Sequence, residues 1–501
     1  MNLLRTNILA NYAGQAWMAI MAVAFVPIYA RDLGYEAFGL VGVMLSLQAI
    51  SMLLDLGMGG IMNRELARRA TSATAAASMR TLTRTLECIV WPMAACIALV
   101  VSGLAPWIAQ HWLHPQSMTP TQTTQVLRLM GLAVAAQWPS AFYVSGLSGL
   151  ERQPTANVLN AGFATLRNAG AVIVLQTVSA SVEAFMTWQA LVGVTQSLLG
   201  AWLLHRALPA GRSRFSMSEL RDARRFAGGI IGITALSIAL IQLDRALLSV
   251  LRPLSELGYF TLALTVSAGL GRLVQPMFNA AYPRFSRLVA LGQDDELRSL
   301  YHDASQYLMM ILAAACGVIV AFPRSLLFLW TGDSVTASIV ATPMVILVLG
   351  TALNGLINLP YALQLAHGWT RLSLGLNGFA LLISASIGFP LVAYAGIAGA
   401  AWLWVITNAI LVLVGLPLMH KRLLRHDLWP WLRNSVAPPV TAAAMMSACL
   451  AYFCPPLTRD VAGLVQLASV IGMTLIASVL SLPLGRSRSA GVLRLLWSRT
   501  N

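Results

Sequence analysis

Thr261, Thr265, Arg272, Gln275 and Asn279 follow one another at spacings of 4, 7, 3 and 4 within one apolar run. On a helix that spacing places all five on one face, with Leu, Val and Ala opposite. A guanidinium beside two carboxamides suits anions and hydroxyl groups. Such polar groups are costly inside a bilayer, so they face a water-filled cavity or a partner. The stripe is expected to line a cavity, the alternative being hydrogen bonds to neighbouring helices.

A second set, Asn157, Asn160, Arg167 and Asn168, shares a broad face of another run. Arg167 falls near its middle and wants an anion, either a substrate phosphate or a protein carboxylate. Gln48, Ser51 and Asp55 are spaced 3 and 4 apart. Asp55 suits a coupling proton or pairing with an inward-side Arg. Asp244 and Arg245 are adjacent, about 100° apart on a helix, and so are poor partners for each other. Asp244 then pairs with Arg272 or titrates. Asn354, Asn358 and Tyr361 share a face that suits sugar hydroxyls and helix–helix bonding equally. Arg128 is expected to snorkel from a helix end.

Catalytic templates are missing: there is no phosphate-binding glycine loop, dinucleotide fingerprint, HExxH or nucleophile elbow. The seven His do not cluster, and the five Cys lack metal spacing. No cofactor and no metal is expected, and the chain is not expected to be an enzyme. Any transport energy would come from an ion gradient, the membrane potential or the substrate gradient.

These side chains need elements to hold them, and composition says which. Hydrophobic residues make up 57% and charged residues 10%, with mean hydropathy +0.71; soluble domains carry about 25% charged residues. Runs near 20 residues recur, each long enough to cross about 30 Å of hydrocarbon. The expectation is an all-α integral membrane protein with about fourteen transmembrane helices, near 7–30, 36–60, 86–109, 122–149, 154–176, 184–206, 225–250, 256–280, 302–331, 336–365, 371–394, 397–419, 433–454 and 461–483. The first run carries Asn11 and Gln15 and reads as an uncleaved span rather than a signal peptide. Of 33 Lys and Arg, 25 fall in alternate connecting segments starting with Arg5, four in the others, and four within runs. By the positive-inside rule both termini are cytoplasmic. That placement also accounts for the net charge of +15 without nucleic acid.

A weak internal repeat runs through the chain. EAFGLVG (36–42) resembles SELGYFT (255–261) at an offset of 219, and Arg64 corresponds to Arg284 at 220. NAGFA (160–164) resembles NGFA (377–380), and HR (205–206) resembles HK (420–421). Six runs separate the copies, so they cross in the same sense, a parallel repeat. The expected organisation is an N-lobe (1–210), a C-lobe (211–428), and two further helices with a tail (429–501). Substrate would sit between two six-helix lobes. Arg64 and Arg284 are gate candidates or plain anchors.

The stretches FVPIYARDLGYEAFGLVGVMLSLQAISMLLDLGMGGIMNRELARR (25–69) and QLDRALLSVLRPLSELGYFTLALTVSAGLGRLVQPMFNAAYPRFSRL (242–288) resemble the lobe openings of the bacterial polysaccharide or O-antigen flippase family. That family belongs to the multidrug/oligosaccharidyl-lipid/polysaccharide exporter superfamily. The resemblance implies flipping of undecaprenyl-pyrophosphate-linked oligosaccharide to the outer leaflet of a bacterial inner membrane, for lipopolysaccharide or exopolysaccharide. Pyrophosphate would meet Arg272 and Arg167; sugars would meet Asn157, Asn160, Gln275, Asn279, Asn354 and Asn358. Asp55, Asp244 and Arg245 are the ion-coupling candidates. Membrane lipids, a glycan polymerase and glycosyltransferases are the expected partners, with no nucleic acid. Fourteen helices, where many members have twelve, match the related peptidoglycan lipid-intermediate flippases. The other rival, an ion-coupled multidrug exporter, would need an acidic cavity.

Overall fold

Apolar runs in hydrocarbon must satisfy every backbone N–H and C=O internally, which leaves helices or closed barrels. The computed structural model describes residues 17–55, 57–70, 76–211 and 215–482, and among these every regular element is helical. Part of the first expected run, with Asn11 and Gln15, lies outside the described residues. So do Arg5, Arg212, Arg214, Arg486, Arg488, Arg494 and Arg499, and the side chains of Arg221, Arg224 and Arg225. Nine helical stretches among the described residues are long and apolar enough to cross a bilayer. One, Thr370–Leu423, has 54 residues, roughly 80 Å of helix at 1.5 Å per residue and enough for two crossings. Gly396 interrupts it at φ 54°, ψ −129°, between the two expected runs 371–394 and 397–419. The chain is a multi-pass membrane protein.

Packing divides the chain into two units, Met1–Gly258 and Tyr259–Asn501. In the first, residues 17–24 are helical. There follow α1 (Val26–Leu33), α2 (Tyr35–Ser51), α3 (Met58–Ala70), α4 (Ala76–Trp107), α5 (Pro120–Gly149), α6 (Gln153–Thr177), α7 (Val182–Ala207) and α8 (Met217–Leu251). The run expected at 36–60 is broken: a short tight turn of helix ends at Asp55, and α3 starts after Gly57 at φ 75°. α3 then carries the charged end that hydropathy alone does not mark as helical. Met62, Leu66, Leu82, Leu86, Tyr143, Leu147 and Leu204 pack as one core between α3, α4, α5 and α7. Glu65 gathers Arg64 (3.0 Å), Arg68 (2.6 Å) and Arg69 (3.6 Å), and Arg69 also meets Glu219 of α8 at 2.7 Å. α8 thereby joins the first unit, which extends to Gly258.

The long helix α9 (Leu254–Leu291) leads into the second unit. Next come α10 (Asp294–Ala321), α11 (Pro323–Thr331), α12 (Ser334–Ala366), α13 (Thr370–Ile410), α14 (Leu416–Leu423), α15 (Leu428–Trp431), α16 (Ala437–Phe453) and α17 (Val461–Leu480). The single run expected at 302–331 is two helices, because Pro323 at the start of α11 has no N–H to continue α10. Polar pairs fasten the second unit internally: Ser267–Thr351 at 2.6 Å, Trp404–Thr351 at 3.0 Å and Ser384–Thr407 at 2.8 Å. The last helices, which stand outside the sequence repeat, dock on α10. Asp427 accepts from His302 at 2.9 Å, Ser435 bonds His302 at 3.0 Å, and the Trp431 indole donates to Ser305 at 2.8 Å.

Candidate functional site

α6 carries Arg167 into a cluster of carboxamides. Its Nη2 donates to Gln196 Oε1 of α7, and Gln196 Nε2 lies 3.4 Å from Asn160 Oδ1. The Gln137 carboxamide of α5, turned with its oxygen toward the guanidinium, accepts from Nη2 at 3.2 Å and from Nη1; hydrogen-bond geometry sets that orientation. Gln48 of α2 lies 3.0 Å from the Gln137 amide. Arg167 Nε is buried without a partner. Among the described residues, no carboxylate lies within 4.0 Å of this guanidinium in an ion pair. Three helices therefore hold a positive charge with neutral oxygens only. Carboxamides orient the guanidinium but do not neutralise it, so it retains its capacity for an anion. Gln137 and Gln196 escaped sequence reasoning, because no spacing within one helix joins residues of α5 and α7 to α6.

Other expected residues have different places. Asn168 serves Tyr29: its backbone oxygen accepts from the Tyr29 hydroxyl at 2.7 Å, and its amide donates to Ala164 O at 2.8 Å. Asn157 is half-buried on α6, with a partner of its own. Asp55 makes no ion pair with an Arg among the described residues. Its carboxylate accepts from the N–H of Gly59 at 3.3 Å, at the start of α3, where the helix dipole favours a negative charge. Asp244 is buried, and its Oδ1 accepts from the Arg245 N–H at 2.7 Å. Arg245 Nη1 donates to Gln242 at 3.0 Å, and Gln242 in turn donates to Ser46 O at 3.0 Å, tying α8 to α2. Arg245 Nε is a second buried, unpartnered guanidinium nitrogen. Arg64 is exposed, with Glu65 at 3.0 Å.

In the second unit, Thr261 and Thr265 are tied by a 2.8 Å bond from the Thr265 hydroxyl to Thr261 O. Arg272, Gln275 and Asn279 are exposed, and Gln275 Nε2 donates to Asn279 at 3.1 Å. An exposed stripe of this kind faces water at far lower cost than lipid. Asn354 serves packing, because it donates to the buried Asn408 at 2.8 Å. Asn358 keeps a buried, unpartnered oxygen. Tyr361 stacks near Phe278, centroids 6.2 Å apart. Arg284 is exposed and lines a cavity of about 330 Å³ with Glu296, Asp303 and Tyr307. A larger cavity of about 1020 Å³ is walled almost wholly by apolar groups, among them Leu312, Val320, Leu353, Trp402, Val440 and Tyr452. No group of three His, Cys, Asp or Glu among the described residues is placed to hold a metal ion.

Solved structures share this arrangement of helices. A lipid II flippase, MurJ, in an inward closed conformation superposes with a TM-score of 0.68 at 10% identity, covering 95% of this chain and 98% of its own. An inward-facing multidrug resistance MATE family transporter of the MOP superfamily gives 0.64 at 16%, covering 83% and 96%. The Vibrio cholerae MATE transporter VcmN gives 0.57 at 16%, covering 86% and 100%. At these identities the likeness is one of fold. No curated protein matches the chain. The family model "Polysaccharide biosynthesis protein" matches residues 4–289, more than half of the 501. The chain therefore belongs to the polysaccharide biosynthesis protein family, and its fold is that of the flippase-type transporters of the MOP superfamily.

Proposed function

We propose that this protein flips an undecaprenyl-pyrophosphate-linked oligosaccharide from the cytoplasmic to the outer leaflet of a bacterial inner membrane by alternating access, supplying cell-surface or extracellular polysaccharide, and that it is not an enzyme. The observation that carries this reading is Arg167, a half-buried guanidinium with a buried, unpartnered Nε, held by Gln137 and Gln196 alone among the described residues. Pyrophosphate supplies the charge that the protein leaves out. Arg272 is the second anion ligand, with Gln275, Asn279, Asn157, Asn160 and Asn358 facing sugar hydroxyls. Asn354 is left out of this set, since Asn408 occupies its amide. The large apolar cavity of the second unit suits a polyprenyl chain, which has no polar group to satisfy. Both termini are cytoplasmic in this reading, and glycosyltransferases and a glycan polymerase work on either side of the step.

The test is the leaflet location of the lipid-linked glycan in cells lacking the protein. With the glycan labelled metabolically, an impermeant glycosidase is added to intact spheroplasts. The flippase reading expects accumulation of glycolipid protected from the enzyme. Normal digestion would overturn it. A multidrug exporter is the second reading, favoured by the carboxylates Asp55 and Asp244 within the spans; it expects normal digestion together with altered drug sensitivity.

A further inference from the structure

The repeat pairs Arg64 of α3 with Arg284 of α9, yet the two guanidinium groups have different surroundings. Arg64 meets the carboxylate of the next residue, Glu65, at 3.0 Å. The residue after Arg284 is Phe285, fully buried and without charge. Among the described residues Arg284 makes no ion pair. It is exposed and lines the cavity of about 330 Å³ between α9 and α10. From α10 the same cavity receives Glu296, Asp303 and Tyr307, and most of the remaining lining is apolar, Met277 and Leu300 included. Glu296 also accepts from Gln293 Nε2 at 3.4 Å, and Asp303 has an interaction of its own. Every lining residue belongs to the second unit. Arg284 follows Arg272 by twelve residues, which at about 100° per residue leaves them about 120° apart round the helix. The cavity and the Arg272 stripe therefore occupy different faces of α9.

Helix length sets the depth of this cavity. From Leu254, the start of α9, to Arg284 the helix rises roughly 45 Å, which matches the roughly 40–45 Å of a bilayer with its head-group layers. With the start of α9 at one head-group layer, Arg284 reaches the other. The Lys and Arg distribution makes that layer the inner one. A plain anion there is attracted by Arg284 and repelled by Glu296 and Asp303, and a plain cation meets the reverse. A head group with one charge of each sign suits both walls. Carboxylates bind a primary ammonium through its N–H donors, whereas a quaternary ammonium is held by cages of aromatic rings. Tyr307 is the one aromatic group among the described lining residues. The chemistry therefore favours a primary amine, and the apolar lining suits the glycerol and the first acyl carbons.

We infer that this cavity binds the phosphoethanolamine head of an inner-leaflet phospholipid, with Arg284 on the phosphate and Glu296 and Asp303 on the ammonium. The lipid bridges α9 and α10 at the point where the second copy of the repeat has Phe285 in place of a carboxylate. The site is separate from the groups around Arg167 and Arg272, and the inference stands whether or not the protein moves a glycolipid.

The experiment uses the full-length protein, freed of lipid in detergent. It is titrated with phosphatidylethanolamine, phosphatidylcholine or phosphatidylglycerol of one chain composition, and bound lipid is counted by native mass spectrometry. Phosphatidylethanolamine is expected to bind about five-fold more tightly than either of the others, the upper range for exposed charge pairs. Arg284→Gln and Glu296→Gln are each expected to remove that preference, with opposite signatures. Glu296→Gln gains affinity for phosphatidylglycerol, because a repelling charge is gone, and Arg284→Gln does not. Ser299→Trp, at an exposed lining position, fills the cavity without changing its charge and is expected to lose the preference as well. Arg287→Gln, exposed but outside the lining, is expected to keep it. Equal binding of the three lipids by the unaltered protein overturns the inference, and that comparison holds even where a substitution unfolds the chain. Preference retained in all three cavity variants also overturns it. So does glycerophosphoethanolamine binding as tightly as the lipid, which would make the ligand a soluble phosphoamine.

Discussion

Arg167 concentrates the chemistry of the first unit. Its partners Gln137 and Gln196 are uncharged, so an anion that binds there gains charge-assisted hydrogen bonds worth about 1.5–3 kcal/mol each. Arg167→Ala is expected to weaken glycolipid binding by roughly 10- to 150-fold, measured with purified protein and labelled substrate. Arg167→Lys keeps the charge but loses the planar fork that reaches two oxygens, and is expected to recover little of the loss. Unaltered binding in Arg167→Ala would remove the anion site from α6. Arg272→Ala is expected to abolish transport in the spheroplast assay while the protein stays in the membrane at normal abundance. Full activity there would leave the α9 stripe without its proposed role.

Breaks and caps decide how each helix is placed. At Gly396 the backbone sits at φ 54°, ψ −129°, a region that side chains avoid. Gly396→Ala is expected to cost roughly 1–3 kcal/mol, read as a lower unfolding temperature in detergent. α15 and α16 are fixed to α10 by the Asp427–His302 bond at 2.9 Å. Asp427→Ala leaves one nitrogen of the half-buried imidazole without its partner and is expected to cost roughly 1–3 kcal/mol by the same measurement. At the head of α17, the exposed Asp460 accepts from Gly463 N–H at 2.7 Å and from the Thr458 hydroxyl at 2.7 Å. The Gly463 N–H, then Thr458, hold its carboxyl below the usual carboxylate range. A depressed folded value means that the cap's contribution is present above the unfolded value and lost as pH falls through the folded one. Amide exchange at the start of α17 is therefore expected to stay slow down to the ordinary carboxylate range and to speed up only below it. In Asp460→Ala, exchange is expected to be fast throughout.

At the scale of the molecule, the first unit holds Arg167 among carboxamides, and the second carries the polar stripe of α9 and the apolar cavity, each within its own packing. Cells lacking the protein are expected to retain glycolipid on the inner leaflet. Restoring the wild-type chain should return it to the outer leaflet, and restoring Arg272→Ala should not. Equal outer-leaflet exposure with and without the protein would end the flippase reading.

Helix content, membrane embedding and the internal repeat were legible in the residues alone. Each follows from short-range facts: run length against bilayer thickness, and the need of buried backbone to bond to itself. The polar stripe on α9 was legible for the same reason, since spacing along one helix fixes which side chains share a face. The break after Ala321 could be traced to Pro323, but the break near Gly57 and the charged length of α3 lay beyond hydropathy. Partnerships across helices were out of reach. Gln137 and Gln196 meet Arg167, Asn354 meets Asn408, and Asp55 turns to a helix start rather than an Arg, because those choices depend on which helices are neighbours. The repeated EAFGLVG and SELGYFT motifs are the instructive case. Their offset was visible in the sequence, but their meaning was not. That Gly39 lies against the Leu254 carbonyl and Gly258 against the Tyr35 carbonyl is a property of two segments far apart in the chain, and only packing brings them together.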